Sequence, residues 1–291
     1  MQDFETPSWL DRREYPFRPR HFETAEGVIH YIDEGSGPPL IWVHGTPSWS
    51  FEFRKLIGFF SSRYRCLALD HLGFGQSDKP PEADYRIQAH AHRFRMWVQH
   101  LQLEQAAGLV VHDVGGPIAM DWALQNPEAI GSIAIMNSWM WDFTDHPAFK
   151  KLRRILTMPW TPWLYRYLNF SPRVLIPQSF ADASRLHTAT HQHYRKPFPR
   201  PRDRHGPWGI ARGLLKEQAF FEDLHQRSSA LRQTAASLIW GRADPLLPDD
   251  FIDRWVAIWP HLSVASLKDC GHFPGEEQPQ AVQKALDAFL S

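Results

Sequence analysis

The sequence predicts an α/β fold: a mostly parallel, doubly wound sheet interrupted by an inserted helical cap. Three observations predict it. Short apolar runs recur at 28–33 (VIHYID), 40–43, 64–69, 109–112, 133–136, 237–240 and 262–267. Helix-period segments alternate with them, at 51–60, 87–103, 118–125, 249–258 and 278–290. Several runs also end on chemically capable residues, His44, Asp70, Asp113 and Asn137 among them. Strands alternating with helices build parallel sheets, whose ligands bind at the carboxyl ends of the strands.

Taken in order, the first twenty residues are rich in Pro and Arg and read as an irregular strap. The strand at 28–33 is broken by Gly35-Ser36-Gly37-Pro38-Pro39. The alternation then holds through the strand ending at Asn137 and fails across 138–215, which is rich in Trp, Pro and Arg. This segment reads as the cap, with 1–137 and 216–291 forming the body. Between Lys150 and Lys216 there are fourteen Lys/Arg and two acids, Asp182 and Asp203. That excess fits either a solvated helical surface or a basic face for an anionic ligand or acidic protein partner.

Composition narrows the function classes. The 291 residues suffice for one large catalytic domain with an insertion. Lys+Arg and Asp+Glu both total 32, so no net positive field draws nucleic acid. Cys66 and Cys270 lack metal-ligand spacing and read as separate reduced thiols. Met1–Glu5 carry neither a basic n-region nor an apolar h-region, and no stretch is apolar enough to span a bilayer. A cytoplasmic protein without cofactor or metal is expected.

The strongest chemical signal is Val111-His112-Asp113-Val114-Gly115-Gly116, a strand, a tight turn and a helix start. An exposed carboxylate at such an elbow is a nucleophile for an sp³ carbon or a strained ring. Asp113 as a simple helix N-cap is the bland alternative. His272, in Asp269-Cys270-Gly271-His272, follows the last strand and suits a general base; a surface histidine is its alternative. Asp244, in Gly241-Arg242-Ala243-Asp244-Pro245, can orient that imidazole or merely form an Asp-Pro turn. The order nucleophile, acid, base favours the chemical reading of all three. The backbone N–H groups of Thr46 and Val114 are the expected oxyanion hole. The glycine-rich 70–77 turn lacks Gly-Lys-Ser/Thr and reads as structural.

These residues resemble the haloalkane dehalogenases of the α/β-hydrolase superfamily. The matching motifs are HGTP at 44–47, DHLGFGQSDKP at 70–80, VVHDVGG at 110–116, GRADP at 241–245 and GHFPGEEQP at 271–279. Val111, two residues before the nucleophile, fits the dehalogenases better than the epoxide hydrolases, which usually carry Gly there. Asn137-Ser138-Trp139-Met140-Trp141 is similar to the third subfamily, which includes the β-lactone-processing enzymes of olefin biosynthesis. The resemblance implies an ester on Asp113, hydrolysed by water that His272 activates, with a small, mainly apolar haloalkane as substrate.

Two departures stand out. Val114 occupies the place of the usual halide-binding Trp, and Thr46 that of the usual Asn. Trp139 and Trp141, or Trp160 and Trp163, are the candidate replacements. A β-lactone or other strained ester is the leading alternative substrate. An epoxide is the next, drawing its acid from Tyr165, Tyr167 or Tyr194. A non-catalytic ligand receptor on the same scaffold is the rival from outside enzymology.

Overall fold

The structure is a computed structural model that describes residues 7–291, so the reading of Met1–Glu5 lies outside the described residues. Eight strands form one sheet. They are β1 Arg20–Thr24, β2 Gly27–Glu34, β3 Pro39–Val43, β4 Arg65–Leu69, β5 Ala107–Asp113, β6 Ile130–Ser138, β7 Ala235–Gly241 and β8 Ser263–Leu267. Their spatial order is β1-β2-β4-β3-β5-β6-β7-β8. β1 pairs antiparallel with β2, and β2 antiparallel with β4; every other pairing is parallel. The order reverses at β3, which lies between β4 and β5. A crevice therefore opens at the ends of β3 and β5, where doubly wound sheets bind ligands.

The central strands are mostly apolar because both faces of the sheet are covered. Ile41, Val43, Leu109, Val111, Ile133, Ile135, Leu238 and Trp240 enter one core. Their alternates Leu40, Trp42, Val110, Ala134, Met136 and Ile239 enter the other. Each fully buried aliphatic side chain contributes about 1.5–3 kcal/mol relative to exposure. Helices α1 Arg54–Phe60, α2 Ile87–Leu101 and α3 Gly115–Gln125 connect the strands up to β6. The described part of the strap is packed down, since Leu10, Tyr15 and Phe17 fill the second core.

Between β6 and β7 lie α4 Phe149–Leu156, α5 Thr161–Leu168, α6 Ile176–Ser179, α7 Thr188–Arg195, α8 His205–Lys216 and α9 Gln218–Arg227. A wide helical turn at Ser171–Leu175 leads into α6. The inserted helices are seated on the body at specific points. A Cβ at Gly209 of α8 would lie 2.8 Å from the Tyr85 carbonyl oxygen, so only glycine permits this approach. Glu217 accepts the Ile87 and Gln88 N–H groups at 2.9 Å, capping α2 from the end of the insertion. The Trp49 indole donates to the His193 carbonyl of α7 at 2.9 Å. Beyond β7 come α10 Asp250–Ile258, α11 Pro274–Glu277 and α12 Pro279–Leu290.

Two elements escape the sequence pattern. β1 is a half-exposed, polar edge strand (RHFET) formed by its hairpin with β2, and α9 follows α8 almost without a break. Cys66 and Cys270 are separate, buried thiols. Asp70 bonds His30 at 2.9 Å and accepts the Ser50 and Gln76 N–H groups, so the glycine-rich turn after β4 is structural. No helix among the described residues is long and apolar enough to cross a membrane.

Candidate active site

β5 ends at Asp113, whose φ is 51°, and α3 begins two residues later. A non-glycine residue there is strained by roughly 1–2 kcal/mol. The turn is held by its neighbours. Ser138 Oγ donates to the Asp113 carbonyl at 2.6 Å. A Cβ at Gly115 would fall 2.8 Å from the His44 carbonyl oxygen, and one at Gly45 would strike the Asp113 carboxylate. These contacts bring the loop after β3 directly over Asp113. There the Thr46 N–H donates to Asp113 Oδ2 at 2.8 Å. Val114 is the N-cap residue of α3, with its side chain buried and outside the cavity lining.

His272 arrives from the loop after β8. Its Nε2 lies 3.6 Å from Asp113 Oδ1, an ion-pair contact rather than a hydrogen bond. Its Nδ1 lies 2.7 Å from Asp244 Oδ2. Asp244 is held in turn: Oδ1 accepts the Leu246 N–H at 2.7 Å, and Oδ2 accepts Asn137 Nδ2 at 2.8 Å. The three candidate residues, from the ends of three different elements, therefore meet in one place.

Sequence reasoning missed two supports. Asn137 is more than a polar strand end. Its amide brackets Gly241, accepting its N–H at 2.8 Å and donating to its carbonyl at 3.2 Å, while holding Asp244. Behind His272, His112 Nε2 donates to the His272 carbonyl at 2.6 Å, and His112 Nδ1 sits 3.2 Å from both oxygens of buried Glu52. Position at the ends of β6 and β5 was the available signal for Asn137 and His112. Nothing in the linear sequence paired Glu52 with a residue on β5.

Electrostatics follow from this packing. Burial pushes the Asp113 carboxyl up, but the His272 ring beside it outweighs burial and holds it below its ordinary value. Burial disfavours a charged His272, yet Asp244 and Asp113 on either side raise it to about 10. A positive charge on His272 is thus favoured by the Asp244 and Asp113 side chains on either side of it.

The cavity above Asp113 and His272 is mostly apolar. Its walls include Leu152 and Leu156 of α4, Leu175 and Ile176 near α6, and Ala211 and Leu214 of α8. Trp139 lines it, and the buried Trp139 Nε1 has no hydrogen-bond partner; the same is true of the hydroxyl of Thr46, which also lines it. Trp141 corrects the expectation. It does not reach the cavity but packs on α10, with ring centroids 4.9 Å from Trp255 and 5.1 Å from Phe251. The chain leaves β6 irregularly here, so two residues that a strand would place on one side point apart. Trp160 and Trp163 are exposed and likewise line no part of it. Of the three tyrosines suited to an epoxide, Tyr165 alone lines the cavity, and burial pushes its phenol up. Tyr167 is exposed, and Tyr194 donates to Glu276 at 2.6 Å.

Known proteins agree with this architecture. Residues 38–279 match the family model described as alpha/beta hydrolase fold. Haloalkane dehalogenase 2 of Mycobacterium tuberculosis is 33% identical over 278 residues, covering 95% of this chain and 96% of that protein. Cis-3-alkyl-4-alkyloxetan-2-one decarboxylase of Shewanella oneidensis is 27% identical over 295 residues, covering 95% and 89% respectively. The crystal structure of the haloalkane dehalogenase DatA from Agrobacterium tumefaciens superposes with a TM-score of 0.84 at 26% identity, covering 94% of this chain and 96% of that one. With its eight-stranded sheet and its inserted helices, this chain belongs to the haloalkane dehalogenase family of α/β hydrolases.

Proposed function

We propose that the protein is an Asp-nucleophile hydrolase in which Asp113 displaces a leaving group from an sp³ carbon, the family-default substrate being a haloalkane. Residues 138–215 act as its cap, and 1–137 with 216–291 as its body. The carrying observation is the chain Asp113–His272–Asp244, with contacts of 3.6 and 2.7 Å, under an apolar cavity. Thr46 N–H holds Oδ2, which leaves Oδ1 as the attacking atom and Oδ2 as the ester carbonyl oxygen. The Val114 amide is the second donor of the oxyanion hole. The carbon–halogen bond breaks as the Oδ1–carbon bond forms, and the halide departs with the bonding pair. Trp139 Nε1–H and the Thr46 hydroxyl, both buried and unpartnered, suit that developing anion. They replace the Trp that Val114 displaces.

The second step follows from charge. An ionised Asp113 beside a protonated His272 suits the attack. Ester formation removes one of the two carboxylates that raise His272, so the ring gives up its proton more readily and becomes a base. Water then adds to the ester carbonyl carbon, His272 takes its proton, and the alcohol leaves with Oδ1. Asp244 stabilises the imidazolium.

Val114 favours a second reading. A β-lactone, the oxetan-2-one in the Shewanella relative's name, keeps its leaving carboxylate on the same molecule and needs no halide cradle. One experiment separates the readings. His272→Ala is incubated with bromoalkane, epoxide and β-lactone panels and weighed by intact mass spectrometry. An alkyl adduct on Asp113 with one equivalent of bromide is the expected result. Conversion of the lactone to alkene and carbon dioxide by wild type moves the assignment to decarboxylation. If no panel gives an adduct or turnover, the enzyme reading fails and a ligand receptor remains.

A further inference from the structure

The outer face of the cap differs from the rest of the surface. Among the described residues, the four most exposed large apolar side chains are Trp160 (57%), Trp163 (52%), Tyr167 (50%) and Leu168 (44%), all at or within α5. Trp160, Trp163 and Tyr167 follow i, i+3, i+7 spacing and share one helix face, with the Trp163 and Tyr167 rings 5.8 Å apart. On the preceding helix, Lys150, Lys151, Arg153 and Arg154 point to solvent. From 146 to 181 the chain carries six Lys/Arg and no acid. Among the described residues, Arg153 is the one cation of these six in an ion pair, with Asp145 at 3.4 Å. The inner faces of these same helices present Leu152, Leu156 and Tyr165 to the cavity.

We propose that α4 and α5 form a docking face for the surface of an anionic lipid bilayer. Trp160, Trp163 and Tyr167 have the amphipathic rings that settle at the headgroup level, and the α4 cations match lipid phosphates. No other partner is needed to meet both features, because an anionic bilayer offers apolar depth and negative charge on one surface. A second copy of the chain fits poorly: a two-fold pairing would set Lys150, Lys151, Arg153 and Arg154 against their own copies, with Asp145 as the one acid paired to them. Docking also places a bilayer one helix layer from the cavity, a short route for an apolar substrate. Only that delivery step rests on the proposed chemistry at Asp113; the docking does not.

Flotation of the full chain with vesicles tests this without any turnover. Phosphatidylcholine alone is compared with an equimolar mixture of phosphatidylcholine and phosphatidylglycerol, at low and high salt. Binding to the mixed vesicles is expected to exceed that to phosphatidylcholine by about tenfold and to fall with salt, with a blue shift of Trp fluorescence. The double variants Trp160→Ala/Trp163→Ala and Lys150→Glu/Lys151→Glu each lower it about tenfold, while Phe59→Ala, elsewhere on the surface, leaves it unchanged. All five positions are exposed, and circular dichroism checks that the variants fold. The proposal is overturned if wild type ignores the mixed vesicles or if neither double variant alters binding. It is also overturned if wild type binds polyglutamate but no vesicle, which assigns the face to an acidic protein. A dimer abolished by the tryptophan variant, without vesicle binding, assigns it to a second copy and overturns it equally.

Discussion

The floor and the roof of the cavity are made of opposite materials. The floor is set at strand ends of a sheet buried on both faces, and its polar atoms hold one another: Thr46 holds Asp113, and Asn137 holds Asp244, which holds His272. The roof is a run of short helices, α4 and α5 of eight residues each and α6 of four. Isolated helices below about 12–15 residues are marginal in water, so these depend on tertiary packing and on a few ties such as Glu217 to α2. The difference divides the labour. Charge placement, and with it the proposed bond-making step, belongs to the floor; the apolar walls that would shape a substrate belong to the roof.

The comparison breaks most visibly at the floor. Asp244→Asn is expected to lower kcat/KM by about 10³–10⁴-fold, since it removes the charge that fixes and stabilises the His272 imidazolium. It should also change the pH dependence of stability. His272 is raised from 6.5 to about 10, so its protonation stabilises the fold fully below pH 6.5, and that contribution is lost as pH rises towards 10. The wild-type advantage over the variant in urea melts should therefore be greatest at acidic pH and shrink between those limits. A constant gap across that window would mean that Asp113, not Asp244, holds the ring charged.

At the junction of floor and roof stands Trp139. Trp139→Phe keeps an aromatic wall but deletes a buried side-chain N–H that has no partner in the cavity lining. Stabilisation confined to a departing anion lowers kcat rather than raising KM when it is lost. A fall of about 10²-fold or more in halide release is expected, by analogy with the loss of one oxyanion donor. Unchanged single-turnover bromide release would remove Trp139 from the leaving-group site.

What could be read from the linear sequence follows the same division. Asp113, Asp244 and His272 were visible because each follows an apolar run, and a parallel sheet aligns such ends. Asn137 is legible only as a polar strand end; its bonds to Asp244 and Gly241 bridge more than a hundred residues and exist only once β6 and β7 are side by side. Glu52 beneath His112 is invisible for the same reason. In the roof, no period marks which way a side chain points in an irregular segment. Trp139 and Trp141 therefore read alike, although one lines the cavity and the other the core. β1 was hidden by its polarity, since an edge strand that is half exposed has little apolar alternation to betray it.

The smallest expected effect sharpens that last distinction. Trp141→Phe is the same chemical change as Trp139→Phe, two residues along. Trp141 touches Phe251 and Trp255, and Arg254 lies 5.4 Å from its ring centroid. Its Nε1 is buried without a partner, so deleting that N–H also removes a desolvation cost and offsets part of the lost packing. A net loss of about 1–2 kcal/mol is expected, read as a drop of about 2–4 °C in Tm. Turnover should stay within about twofold, because nothing the substrate touches has moved. If both substitutions instead lower kcat together, the tryptophans act as one packed unit. The boundary between roof and core at Trp139 would then have to be redrawn through α10.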